Sequence, residues 1–194
     1  MDGSFITTMM LLVAVVLATT ILLARGRAGA RVAAGVPLAA LVLAQSFRLP
    51  LELIMHQLSV DGLMPRQMSY SGMNFDILTG ALAIPVGLLY AFGRAPLALV
   101  RAWNWMGLAL LVNVLTVAIL SAPTPFRVFM NEPANVWVTQ APWVWLPTLL
   151  VPIALAGHVL VFRRLRLEAA ARSTAARSAE LRAHALTASG SGSD

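Results

Sequence analysis

From Phe5 to Ala24 the chain runs for twenty residues without one charged side chain. A helix needs roughly 17–25 such residues to cross a hydrocarbon core. Four further predominantly apolar stretches are also long enough: Val32 to about Leu58, Phe75–Phe92, Trp103–Leu120 and Trp143–Phe162. Only 11% of the 194 residues are charged and 59% are hydrophobic, whereas soluble domains run near a quarter charged. Lipid is therefore the expected solvent. The expected fold class is all-α, a polytopic membrane protein whose five transmembrane helices form one bundle over residues 1–162. Membrane barrels alternate apolar and polar residues with period two, and no such alternation is present. The second stretch is read as one helix because its polar residues keep helical spacing and Pro37 falls near its first turns, where proline is tolerated.

The charges fix an expected orientation. All fourteen basic residues are arginines. Arg25, Arg27, Arg31, Arg94, Arg101, Arg163, Arg164, Arg166, Arg172, Arg177 and Arg182 fall on one side of the five-span scheme, Arg66 and Arg127 on the other, and Arg48 within a helix. Basic loops are retained in the cytoplasm, so the N-terminus is expected outside and the C-terminus inside. The net charge of +6 then reflects topology, and nucleic acid is not an expected partner. The first span lacks a basic n-region, and its apolar run exceeds the roughly 7–15 residues of a signal peptide core, so it reads as an uncleaved crossing. Absence of cysteine rules out disulfides, thiolate metal sites and cysteine nucleophiles within these residues. Residues 163–194 are expected to form a basic cytoplasmic tail, helical to about Leu186 and disordered in its Gly/Ser end, with Arg163, Arg164 and Arg166 placed for anionic headgroups.

Polar side chains concentrate in QSFRLPLELIMHQL, residues 45–58. At 100° per residue, Gln45, Arg48, Glu52 and His56 fall within an arc of about 80°. Glu52 lies four residues from both Arg48 and His56, the spacing at which helical side chains meet. Ionisable groups near a bilayer centre cost about 2.5–3.5 kcal/mol each on insertion scales, a cost reduced by pairing or by facing the bundle. Pro50 frees a backbone carbonyl beside the stripe, which Arg48 or the Ser46 hydroxyl is placed to satisfy. The stripe reads as the wall of a polar cavity opening outward.

Two outer segments add candidate ligand- or proton-binding groups. In SYSGMNFDILTG, Asn74 is an expected N-cap, and Asp76 sits in the first turn, where capping and the helix dipole account for a carboxylate. Gly80, Ala83 and Gly87 offer a face for close helix approach. In PTPFRVFMNEPANVW, Arg127 and Glu132 stand among aromatic residues in a segment that either lies on the membrane surface or folds back over the cavity. Trp103, Trp105, Trp137, Trp143 and Trp145 fit interfacial belts, and Asn113 fits a mid-helix hydrogen bond between helices. His56 and His158 belong near opposite faces, about 20 Å apart by helix rise, so they cannot share a haem. No ligand spacing calls for a metal, and no cofactor is expected.

The segments FRLPLELIMHQL, MSYSGMNFDILTG and PTPFRVFMNEPANVWV resemble those of an uncharacterised group of bacterial multi-spanning membrane proteins, from about Phe47 to Phe162. The resemblance implies a multi-pass inner-membrane protein and carries over no activity. Patterns of membrane hydrolases and nucleotide-binding loops are absent. Three classes stay open beside a polar seam that only holds the bundle together. One is binding or transport of a small or amphipathic molecule, with Glu52 protonatable and Arg48 a candidate for an anionic group. Another is an accessory or assembly subunit of a membrane complex, or one half of a homodimer. The third is a membrane-embedded enzyme using Glu52 and His56 as an acid–base pair on a lipidic substrate.

Overall fold

The computed structural model describes residues 3–190, with side chains described for residues 5–182. Seven α-helices are found in this range: α1 (Gly3–Arg25), α2 (Arg27–Gly35), α3 (Leu38–Ala44), α4 (Arg48–Val60), α5 (Ile77–Ala91), α6 (Leu97–Ser121) and α7 (Val151–Gly190). No strand occurs among the described residues. Four helical stretches are long and apolar enough to cross a membrane: Phe5–Arg25, Leu38–Val60, Leu97–Ser121 and Leu146–Arg182. The remaining apolar helix, α5, has 15 residues and rises about 22 Å, less than a full hydrocarbon core. The Gly/Ser end beyond residue 190, expected to be disordered, lies outside the described residues.

The second apolar stretch differs from the single helix expected from Val32. Arg27–Gly35 is a short helix of its own, and Pro37 stands at the extended N-cap of α3 rather than inside a first turn. Proline disfavours helical conformation in the residue before it, and Val36 is extended. A second irregularity, the 3-10 stretch Gln45–Phe47, joins α3 to α4. It lies just N-terminal to Pro50, whose missing amide and ring disrupt the regular i to i−4 ladder there. A wider π turn at Leu146–Leu150 likewise precedes Pro152 and runs straight into α7.

In the packing, α5 lies against α3, α4 and α6, while α7 lies against α6, α3, α2 and α1. Small residues set the closest approaches. A methyl on Gly80 would collide with the Leu49 amide nitrogen, and one on Gly87 would come within 2.7 Å of the Leu43 side chain. With the fully buried Ala83, these residues form the small face expected of α5. One apolar core joins Leu38, Val42, Val86, Val100, Val161 and Leu165. A second, towards the long loops, joins Met55, Leu58, Met64, Met68, Val117 and Trp137. Two tryptophans depart from the interfacial reading: Trp103 and Trp137 are 4% and 6% exposed, whereas Trp105 and Trp145 are 60% and 59% exposed.

Arginines secure the opposite end. Arg163 Nη1 donates to the carbonyls of Ala24 (2.8 Å) and Gly26 (3.0 Å), and Arg164 Nη1 to those of Ala33 (3.3 Å) and Ala34 (2.9 Å). Helix ends leave carbonyls without intrahelical donors, and α7 supplies those donors to α1 and α2. Arg163 and Arg164 thus turn inward, while Arg166 is exposed.

Gly80→Val should destabilise the bundle, because the clash is with backbone and no rotamer relieves it. Overpacking costs ~1–3 kcal/mol, so a clear fall in thermal midpoint in mild detergent is expected; an unchanged midpoint would refute the α4–α5 contact described.

Candidate functional site

The polar stripe divides into three local environments. At its centre the Arg48 guanidinium is buried, and each of its three nitrogens has a partner. Nε donates to Asp76 Oδ2 at 2.6 Å, Nη2 donates to Asp76 Oδ1, and Nη1 donates to His158 Nε2 at 2.8 Å. The fork-to-fork geometry is that of a bidentate arginine–carboxylate pair. Since His158 Nε2 accepts, its Nδ1 carries the proton and donates to Asn104 Oδ1 at 2.8 Å. Asn104 Nδ2 in turn donates to the His158 carbonyl at 3.1 Å. Thr79 Oγ1 donates to Asp76 Oδ1 at 3.3 Å, and Trp103 Nε1 to the Thr79 carbonyl at 3.2 Å. One network thereby ties α4, α5, α6 and α7.

Glycines make room for this network. A methyl on Gly107 would lie 2.6 Å from His158 Cε1 and 2.6 Å from Thr79 Cγ2, and one on Gly157 would strike the Gln45 amide. Gln45 is buried, with Nε2 donating to the Ala154 carbonyl at 3.3 Å and Oε1 without a partner. Gly80 lets the first turns of α5 approach Arg48, which is why Asp76 is in reach. The N-cap position of α5 is held by Asp76 rather than by Asn74 as expected, and the Asp76 carboxylate, expected to serve the helix terminus, makes no capping bond. Asn74 precedes that position; its Oδ1 accepts the Asp76 amide at 3.1 Å.

Glu52 belongs to a second environment. The expected i,i+4 partnerships with Arg48 and His56 do not form. A single amide group, Asn74 Nδ2, donates to Glu52 Oε1 at 3.0 Å and Oε2 at 2.8 Å, and also reaches the Met68 carbonyl at 3.0 Å. His56 turns away: its Nδ1 meets Ser69 Oγ at 2.8 Å and its ring stacks on Tyr70 with centroids 4.3 Å apart. Glu52 and His56 thus have separate hydrogen-bond partners rather than each other.

Arg127 and Glu132 form the third environment, remote in bonding from the other two. Arg127 Nη2 donates to Glu132 Oε1 at 3.0 Å and to the Asn131 carbonyl at 2.9 Å, and Nε to the Phe129 carbonyl at 2.8 Å. The bond from Arg127 and the Ala134 amide at 2.7 Å hold the exposed Glu132 carboxyl below the usual carboxylate range. These contacts shape the 121–142 segment and do not enter the stripe. The segment is anchored to the first loop by Asn131 Nδ2 donating to Gln67 Oε1 at 2.7 Å and Gln67 Nε2 donating to Ser121 Oγ at 2.8 Å. Asn113, expected to bond another helix, instead donates from Nδ2 to the Met73 carbonyl at 2.7 Å in that first loop.

A cavity of about 230 Å³ adjoins the stripe. Its walls are apolar: Ile6, Met9, Met10, Val13 and Leu17 from α1, Leu51 and Met55 from α4, and Leu111, Val114 and Leu115 from α6. Arg48, Glu52 and Asp76 reach it on one side, and Asn135, Val138 and Thr139 of the second long loop on another. That loop thus folds back over the cavity at Asn135–Thr139, while its Phe126, Val128 and Met130 remain exposed. His56, Asn74, Gln45, Arg127 and Glu132 do not line it.

Residues 4–166 match the family model described as a domain of unknown function, DUF8737. The chain belongs to that family. The match takes in every residue of the arginine network and of the cavity. No curated protein and no solved structure matches the chain.

Three members of the centre escaped the sequence reading: Asn104, Thr79 and His158. Each is a polar residue within an apolar helix, which is the signal that marked Arg48. His158 was set apart because rise along its own helix separates it from His56, and that says nothing of its distance from Arg48.

Arg48→Ala should cost roughly 3–5 kcal/mol, since removal of one partner strands a buried charge. Arg48→Met combined with Asp76→Leu should recover much of that loss. Thermal midpoints of the purified variants in one detergent provide the check; a double variant as unstable as the sum of the singles would contradict the paired-charge account.

Proposed function

We propose that the protein is a multi-pass membrane protein whose intramembrane cavity binds a small or amphipathic molecule for sequestration or transfer across or along the bilayer. The observation supporting this reading is the cavity itself. Its walls are aliphatic and methionine side chains, and a buried carboxylate and a carboxamide sit at its margin. Ligand sites are concave and mostly apolar, with a few placed polar groups. Methionine adapts its shape to varied apolar partners, and four of the lining residues are Met9, Met10, Met55 and Met68. The wall formed by α1 is the least buried of the long helices, and its Leu11, Leu12, Val15, Leu22 and Leu23 are exposed apolar residues. Such a helix gives an apolar molecule a lateral way in from lipid.

In this reading α5 completes a fifth crossing with its flanking residues, and the arginine-bearing end lies in the cytoplasm of a bacterial cell, in the inner membrane. The two long loops and the cavity margin at Asn135 then face outward. The Arg48–Asp76–His158 network serves as the staple that holds the bundle, and the Glu52 side of the cavity serves the ligand. The accessory-subunit reading draws on the same staple, which is self-sufficient without a ligand.

Two measurements bear on this. Because the chain has no native cysteine, single thiols report sidedness directly. Cysteines placed at Asn131 and Arg94 should be labelled by an impermeant maleimide in intact cells at the first position only; the reverse pattern would refute the orientation. Val13→Trp should fill the cavity from its half-buried wall. Native mass spectrometry of protein extracted from its own membrane is expected to show a bound small molecule on wild type and none on Val13→Trp, with thermal midpoints within a few degrees. Wild-type protein free of any such adduct would refute the binding role.

A further inference from the structure

The polar atoms that reach the cavity are unequal in what they have left to offer. Arg48, the obvious receptor for an anion, is already committed: each of its three nitrogens donates to Asp76 or His158, and Asp76 balances its charge. Asp76 accepts three bonds in return, two from Arg48 and one from Thr79. Glu52 is different. A carboxylate has about four acceptor positions, and one amide group of Asn74 is its sole hydrogen-bond partner among the described residues. The ion pair of Arg48 is made with Asp76 and not with Glu52.

Asn135 provides an independent observation. Its residue is 5% exposed, it lines the cavity, and its Oδ1 has no hydrogen-bond partner. The amide orientation is set by Nδ2, which donates to the Ala118 carbonyl at 2.9 Å, so the orphan atom is the oxygen, an acceptor. A buried polar atom left unpaired carries a desolvation penalty. Two elements far apart in sequence, α4 and the second loop, thus each bring an acceptor-bearing residue to the wall of one apolar space.

We propose that the cavity selects amphipathic molecules with a primary ammonium head, whose N–H groups are taken by the Glu52 carboxylate and Asn135 Oδ1 while the apolar chain lies along α1. This rests on the binding role above and supplies its ligand class. An amphipathic carboxylate or phosphate would set its negative charge against Glu52 and Asp76, whose two carboxylates outnumber the single Arg48 guanidinium among the lining residues. A quaternary ammonium brings charge but no N–H. The chemistry is shared by a lipid amine headgroup and by a free alkylamine.

The test uses the full chain with [13C-methyl]methionine in phosphatidylcholine nanodiscs. Met9, Met10, Met55 and Met68 line the cavity and Met73, Met106 and Met130 do not, so the methyl spectrum distinguishes occupancy from general partitioning. Octylammonium should shift the four lining methyls selectively. A charge-assisted hydrogen bond corresponds to roughly ten- to a hundredfold in affinity. Octyltrimethylammonium and octanoate should therefore need at least about tenfold higher concentration for the same shift. Glu52→Gln should weaken octylammonium by a similar factor, and Asn135→Leu, which spares the arginine network, should weaken it too. Nanodiscs containing phosphatidylethanolamine separate the sources. A shift on adding that lipid alone assigns the site to a lipid amine, and a shift with octylammonium only assigns it to a free amine; both support the proposal. Octanoate or the quaternary amine binding as tightly as octylammonium overturns the head-group assignment and leaves the cavity role standing. Failure of every octyl probe and of phosphatidylethanolamine to move the lining methyls, with the protein folded, overturns the cavity role itself.

Discussion

Everything in the bundle is arranged around one buried guanidinium. Arginine does not shed its proton in proteins, so a buried Arg48 needs a carboxylate and further acceptors in fixed places, or the surrounding helices cannot close. Asp76 supplies the charge and His158 the remaining acceptor. Asn104 then fixes the histidine tautomer by accepting from the other ring nitrogen. The demand propagates to backbone spacing. Gly80 brings α5 onto α4, Gly107 leaves space for the imidazole, and Gly157 leaves space for Gln45. Gly80 and Gly107 thus serve the polar centre directly, and Gly157 admits the buried amide of Gln45.

Such a centre separates two duties that one stripe of residues had seemed to share. Arg48 holds helices together, and each of its nitrogens is engaged in doing so. Glu52, one turn further on, lies outside that exchange and faces an apolar cavity with a single amide as its hydrogen-bond partner. His56, another turn on, is absorbed into the first long loop through Ser69 and Tyr70. The cavity exists because α1 leans on α7 and α2, leaving its Ile6–Leu17 face opposite α4 and α6 rather than interlocked with them.

Much of the architecture was legible from local pattern. Apolar run length marks four helices that the structure shows long enough to cross a membrane. The small face Gly80–Ala83–Gly87 was readable because spacing on a helix decides which side chains share a side, and small ones permit contact. Arg48 and Glu52 were readable as a polar stripe because ionisable residues are rare in this composition, whereas Asp76 read as a carboxylate placed for a helix terminus. Less readable were the interruptions at Val36–Pro37 and Gln45–Phe47, where proline breaks the ladder but the break's extent depends on what packs nearby. Trp103 was misplaced for a similar reason. A tryptophan near a helix end suits an interface equally well until a partner such as the Thr79 carbonyl is known.

The sequence by itself determined the class of solvent its helices suit, the clustering of arginine at one set of loops, and the list of polar residues needing partners. Those follow from composition and helical period, both properties of neighbours along the chain. Only the tertiary structure decided who pairs with whom. Arg48 finds Asp76 at 28 residues' separation and His158 at 110, in preference to Glu52 four residues away. A shared helix face brings two side chains near each other but fixes neither end of a bond. A bidentate carboxylate and an oriented imidazole, held by helices that glycine lets approach, satisfy a planar fork of donors better than a flexible neighbour on the same turn.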